Sequence, residues 1–484
     1  RDELGLEAHF PVIMIPGISS SIIESWGTSE KFKNYYRKRI WGTYDMIQLI
    51  ITNKSAWFEL MKLDPTTGLD PEGIKLRAAE GFDAAEYVLP GYWIWSKVLK
   101  NLSAIGYDTT NMYMASYDWR LSLELLEHRD RYFTKLKNRI EHNKRMFERR
   151  TVIIGHSMGS TVLHYFLKWV ESSKGGNGGK QWTENHVENV VHIGGALLGT
   201  PKALTFLLSG GNKIWGDLNS APDDMDNMEN QTSFGEYLSF LPHHDTEIDD
   251  ETRTDVITRP SSFSPLLNHT LDTTMTLMES MASPEFISSL HNNYSHGITS
   301  SKKQLEENDD IPRKWTNPLE SKLPNAPSTT IYNLYGIGLP TERSYYFVTP
   351  DLTDLPIEND QCNAYGNTPT VSGDSTTIPL FIDSSVSNST GNIELGIRLT
   401  DGDFTVPVIS NGYMSSPLGG GWTEHADLYN PGHSQIIARE YQHKTTKGTL
   451  DLLQIVSGHG ENVTERLYSN IEGMAQQISL VHQA

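Results

Sequence analysis

Cysteine is almost absent: Cys362 stands alone among 484 residues, so no intrachain disulfide can form, and zinc or iron–sulfur sites built on thiolates are excluded. Long apolar runs are missing too. Met46–Ile51 and Leu204–Leu208 are far short of the roughly 20 residues that cross a bilayer, and both read as buried core. Basic charge is scarce, with 40 Lys and Arg against 60 Asp and Glu, and the net charge of −20 repels phosphate backbones. Nucleic acid is therefore not an expected partner. With 37% hydrophobic and 21% charged residues, the composition is globular and excludes a fibrous or mostly disordered chain. The length fits roughly three domains, or one large domain with insertions. A first residue Arg1, without Met, is expected of a processed or trimmed chain whose targeting or anchoring segments lie elsewhere. A lone cysteine favours a reducing compartment, whereas the sequons at Asn53, Asn101, Asn230, Asn268, Asn293, Asn388 and Asn462 would matter in a secretory lumen.

What is present is an alternation of strand and helix signals. Pro11–Ile15 is an apolar run that breaks at Pro16-Gly17, and Thr151–Ile154 leads through Gly155 into a helical stripe of Val162, Phe166 and Val170. Further strands are expected at Val190–Ile193, Thr330–Tyr335 and Gln435–Tyr441, with a helix at Thr449–Val456. The pattern predicts an α/β fold with a mainly parallel sheet, formed by residues 1–26, 101–204 and 326–484. Residues 27–100, rich in Trp, read as a helical insertion whose aromatics either pack inside or form a lid dipping into lipid. Residues 205–325 read as a cap insertion with few strand signals, and 366–392 as a mobile loop.

Gly155-His156-Ser157-Met158-Gly159 is the strongest chemical signal, because G-x-S-x-G between a strand and a helix holds a nucleophilic serine on a sharp turn. Acyl chemistry at Ser157 needs two oxyanion donors. The backbone of Met158 offers one, and that of Ser19 or its neighbour Ile18 the other, with Ser19 favoured. The acid is expected after the serine, and Asp401-Gly402-Asp403 offers two carboxylates, of which Asp403 is favoured. The same turn lacks the further carboxylates of a calcium loop, and no metal is expected. The base should lie between the last strand and the last helix, where His443 is the one histidine; His425 and His433 come before that strand and His459 after the helix. Tyr117-Asp118-Trp119-Arg120 reads as a buried ion pair packed among aromatics.

These residues together resemble one family. Pro11–Gly17, Glu24-Ser25-Trp26-Gly27, Arg37–Gly42, Leu63-Asp64-Pro65, Leu76–Ala79, Gly91–Trp95, Tyr117–Arg120, Arg129–Phe133, Gly155–Ser160, Gly199–Lys202, Tyr335-Gly336 and Pro340–Arg343 are similar to motifs of the phospholipid:diacylglycerol acyltransferases, relatives of lecithin:cholesterol acyltransferase. The resemblance implies an α/β-hydrolase fold with large cap and lid insertions, Ser157 as nucleophile and Asp403 as acid. It implies transfer of an sn-2 acyl chain from a phospholipid donor to a diacylglycerol acceptor at a membrane surface, without a cofactor and with no obligate protein partner evident. It also implies a glycoprotein of the endoplasmic reticulum membrane with a lumenal catalytic domain and an anchor upstream of Arg1, and it puts Trp41 at an aromatic lid near the acyl site. Hydrolysis by a phospholipase or lipase, and a silent lipid-binding fold, are the competing readings. In the place of the family's Gly-Asp-Gly-Thr-Val motif, Phe404 replaces the second glycine. Three features depart from the family: its usual cysteine pairs are missing, since Cys362 has no mate, the lid after Ser209-Gly210-Gly211 is short, and the histidine segment expected before the last helix is missing between Tyr441 and Thr449. If the chain is contiguous there, His443 must serve as the base or the protein is inactive.

Overall fold

The computed structural model describes residues 5–89, 92–209, 256–259, 267–269, 271–348, 381–416, 422, 428–442 and 447–478. Six strands form the central sheet: β1 (Val12–Ile15), β2 (Met112–Met114), β3 (Thr151–His156), β4 (Val187–Ile193), β5 (Thr330–Ile337) and β6 (Ile436–Gln442). They lie in the order β6-β5-β4-β3-β1-β2, and every neighbouring pair is parallel. The expected strands are found with ends moved by one to three residues. A parallel sheet covered on both faces demands near-continuous apolar strands, and β1 shows why. Ile13 and Ile15 join one core while Val12 and Met14 join the other, so the run has no polar face to present.

The helices that matter here are α1 (Tyr44–Met61), α2 (Tyr132–Phe147), α3 (Met158–Glu171) and α4 (Lys447–Val456). Every residue of α3 from Met158 to Val170 is buried, so the predicted stripe understates its enclosure. On its α2 side, the Phe133 ring packs 5.1 Å from Tyr165, 5.6 Å from Trp169 and 6.2 Å from Phe166.

Residues 27–100 contain more than helix. Arg39–Trp41 and Leu76–Ala78 pair antiparallel on either side of Ile23–Ser25, making a three-stranded sheet beside α1. Three of its tryptophans, Trp41, Trp57 and Trp95, are buried rather than exposed on a lid. Met46–Ile51 likewise departs from the expectation of buried core. It forms a turn of α1 in which Met46 faces inward while Ile47 is 38% and Ile51 79% exposed, because the core reaches one side of the helix only. Asn53 breaks the helical geometry just beyond, with φ −157° and ψ 71°.

A second sheet holds two strands from the region read as strand-poor, Val256–Arg259 and Leu267–His269, against Leu339–Val348, Ile397–Gly402 and Ile393–Glu394. Phe381–Ile382 also pairs with Leu339–Val348, so two residues within the predicted mobile loop are strand. The rest of that loop up to residue 380 lies outside the described residues, as do Cys362 and the junction Gly210-Gly211. Among the described residues no helix is long and apolar enough to cross a membrane.

Candidate active site

β3 runs directly into Ser157, whose φ of 52° and ψ of −123° lie where residues with side chains are rarely found. The turn closes because its neighbours are small. A Cβ on Gly159 would stand 2.3 Å from the Ile15 carbonyl oxygen, closer than any real contact. Ser157 N–H donates to the Ile193 carbonyl of β4 at 2.9 Å, which locks the bend to the sheet. α3 begins at Met158, and the amides of a first helical turn have no partner within the helix, so the Met158 N–H is free of the helical ladder.

The turn after β1 approaches from the other side: a Cβ on Gly17 would come 3.0 Å from the Ser157 Cβ. Ser19 has φ 54°, and its carbonyl accepts from Trp41 Nε1 at 2.8 Å. The Ser20 hydroxyl donates to the Ile18 carbonyl at 3.0 Å, which fixes the peptide carrying the Ser19 N–H. Tyr117 donates to the Pro16 carbonyl at 3.0 Å and Trp119 to that of Ser21 at 3.2 Å. Three aromatic donors thus clamp the proposed oxyanion turn. Trp41 sits in that clamp, packed 4.9 Å from Trp119 and 6.4 Å from Trp57, rather than on a surface lid.

Asp403 lines the same cleft as Ser157, about 500 Å³ in volume, with Gly336, Val406, Tyr441, Gly448 and Thr449. Asp401 points elsewhere and accepts from the Gly338 N–H at 2.6 Å. Asp403 arrives at the end of the Ile397–Gly402 strand and accepts from the N–H groups of Val406 at 2.7 Å and Thr405 at 2.9 Å, and from Asn411 Nδ2 at 3.2 Å. Burial raises its pKa above the usual carboxylate value, against the pull of those donors and of Lys202. Thr200 and Lys202 explain why Gly199–Lys202 reads as a motif. They donate to the carbonyls of Thr405 and Phe404 at 2.7 and 2.8 Å and so hold the acid turn. Phe404, standing in a glycine's place, has φ 84° with Lys202 Nζ 4.4 Å from its ring centre. A side chain at this positive φ puts the turn under strain.

Asn411 was not legible as a site residue, since nothing in its sequence context marks it. It is fully buried, and its backbone carbonyl accepts from Asn333 Nδ2 at 2.7 Å. Its donation favours the ionised form of Asp403, the form that orients an imidazole. Asn411→Leu should therefore raise the Asp403 pKa further and move the acid limb of the pH–activity profile up by about one unit, since a hydrogen bond to a charge is worth ~1.5 kcal/mol. Activity is lost as the carboxylate protonates, so the loss begins at higher pH. An acid limb that stays in place would show that Asn411 does not act through Asp403.

His443 lies outside the described residues, as does His425. The described chain reaches Gln442 at the end of β6 and resumes at Lys447, and Tyr441, Gly448 and Thr449 all line the cleft. His433 precedes β6, and His459 follows α4 beside His9, which precedes β1. Both belong to the edge where the parallel strands begin, opposite Ser157. His156 also lines the cleft, and burial lowers its pKa to about 4, so it is neutral at physiological pH. Among the described residues no group of three or more His, Cys, Asp or Glu is placed to hold a metal.

A profile of the family described as Lecithin:cholesterol acyltransferase matches residues 35–446. The chain is 35% identical to "Phospholipid:diacylglycerol acyltransferase" of Schizosaccharomyces pombe, over 98% of this chain and 77% of that one. It is 31% identical to the protein of the same name from Saccharomyces cerevisiae, over 98% and 74%. Against "Putative phospholipid:diacylglycerol acyltransferase 2" of Arabidopsis thaliana it is 30% identical, over 98% and 87%.

Proposed function

Because this chain belongs to the lecithin:cholesterol acyltransferase family, we propose that it transfers the sn-2 acyl chain of a phospholipid to diacylglycerol, giving triacylglycerol and lysophospholipid. The observation that carries the reading is the strained Ser157 turn in one cleft with Asp403, in a chain alike from end to end to acyltransferases of that name. His443 removes the Ser157 hydroxyl proton as the oxygen attacks the donor ester, while the N–H groups of Met158 and Ser19 receive the developing oxyanion. The carbon–oxygen bond to the lysophospholipid breaks, and the leaving oxygen takes the proton back from the imidazole. The diacylglycerol hydroxyl then gives its proton to the same imidazole and attacks the acyl carbon; the bond to Ser157 breaks, and the serine oxygen takes that proton back from the imidazole. Asp403 holds the imidazole and offsets its charge in both halves. With phospholipid labelled at sn-2 and diacylglycerol supplied, the label should appear in triacylglycerol. Label appearing only as free fatty acid would make the protein a hydrolase.

The substrates lie in a membrane, and α1 offers a surface for one. Tyr44, Ile47 and Ile51 are exposed at i, i+3 and i+7, on one side of the helix. Residues 27–62 carry seven basic against three acidic side chains in a chain of net charge −20. An apolar stripe beside basic residues suits an interface with lipid headgroups above it. Ile47→Asp with Ile51→Asp should weaken vesicle binding about tenfold and raise the apparent KM for vesicle substrate, with turnover at saturation kept. Equal flotation of parent and variant on vesicles would remove α1 from the docking surface.

A further inference from the structure

We propose that a second cleft, between the three-stranded sheet and α2, binds a phosphate-bearing group. It measures about 610 Å³, larger than the one at Ser157, and Glu24, Arg39, Arg77, Ser116, Arg129 and Lys135 are among its walls. Five basic side chains line it against three acidic ones, an inversion of the charge of the whole chain.

Register explains how the basic groups gather. Glu24 stands in the middle strand with Arg39 opposite on one side and Arg77 on the other, so one carboxylate faces two guanidinium groups across the sheet. That carboxylate is already engaged, accepting from Trp26 Nε1 at 2.9 Å and from Arg37 at 3.2 Å. Arg77 and Arg129 are likewise taken, by Asp70 at 2.8 and 3.3 Å and by Asp130 at 3.2 and 2.6 Å. Arg39, half-buried, and Lys135 have no carboxylate within 4.0 Å among the described residues. The Ser116 hydroxyl is buried in the same wall, with no hydrogen-bond partner among them. A guanidinium fork, an ammonium group and a hydroxyl thus line one cleft, the two cations without a carboxylate partner and the hydroxyl without a hydrogen-bond partner among the described residues. A tetrahedral phosphate presents acceptor oxygens in several directions and matches that set.

The location gives the site a use. Ser116 follows the end of β2 by two residues, and its neighbour Tyr117 both lines this cleft and holds the Pro16 carbonyl of the turn facing Ser157. Both clefts therefore lie at the edge where the parallel strands end. A phosphate group could come from a phospholipid headgroup or from a soluble phosphate.

Titration calorimetry of the full chain at constant ionic strength separates the two, with inorganic phosphate and glycerophosphocholine as probes. Binding of glycerophosphocholine assigns the phosphodiester of a headgroup, and binding of inorganic phosphate alone assigns a soluble phosphate. In either case Arg39→Gln with Lys135→Gln should weaken binding at least tenfold while the thermal midpoint stays in place. If the double variant melts early, Lys135→Gln alone, at an exposed position, should still weaken binding about threefold. Absence of heat with both probes, or equal affinity in parent and variants, overturns the proposal. The readout is binding, so it stands or falls independently of acyl transfer at Ser157.

Discussion

Ser157→Ala is expected to abolish covalent labelling by a fluorophosphonate and to lower acyl transfer by at least 10³-fold to 10⁴-fold. The effect is this large because the proposed mechanism carries the acyl chain on the Ser157 oxygen. Ser157 alone occupies the strained bend, where φ is 52° and the Met158 amide lies at the start of α3. What remains in the variant is substrate binding and the oxyanion turn, which together retain only a residual rate over water. The substitution removes one oxygen atom and leaves the backbone bend to Gly159 and Ile193, so the thermal midpoint should not fall. Labelling that persists in Ser157→Ala would place the nucleophile elsewhere and end the proposed mechanism.

Arg120→Ala should lower stability by ~3–5 kcal/mol, the range for removing one partner of a buried ion pair. Arg120 is fully buried and reaches Asp118 at 2.6 Å, Asp70 at 2.9 Å and the Met61 carbonyl at 3.1 Å. Asp118 is equally buried and also bound by Arg129 at 2.7 Å. Burial alone would raise the Asp118 pKa, but Arg120 and Arg129 outweigh it and hold the carboxyl well below its usual range. Its contribution to stability is thus complete above the ordinary carboxylate value and is lost only as pH falls through the lower folded value. In Arg120→Ala that depression weakens, so the gap in thermal midpoint between variant and parent should be widest at neutral pH and narrow in acid. Arg77→Ala, at a partly exposed partner of Asp70, should cost about 1 kcal/mol. Denaturant unfolding of the three proteins checks the order, and equal loss in both variants would refute the role given to burial.

The parallel sheet was legible because strands buried on both faces carry uninterrupted apolar runs, as in Val12–Ile15 and Thr151–Ile154. Ser157 was legible because the turn tolerates so few residues beside it. The three-stranded sheet was not, since Ile23–Ser25, Arg39–Trp41 and Leu76–Ala78 are each three residues long, too short to show alternation. Trp41 is ambiguous for a related reason. Its composition suits a lipid interface as well as a core, and only the tertiary contacts with Trp57, Trp119 and Ser19 decide between them. Asn411 and the basic cleft escape the sequence because their partners are far away along the chain; Arg39 meets Ser116 and Lys135 only in the fold.

Ser157 is carried by the central sheet and Asp403 by a strand of the other, tied antiparallel to Leu339–Val348. Their spacing is therefore a gauge of how the two sheets are seated on one another. Damage confined to the second sheet would silence turnover while the reactive oxygen stayed in place, so inhibitor capture and catalysis would part company well before the molecule melts.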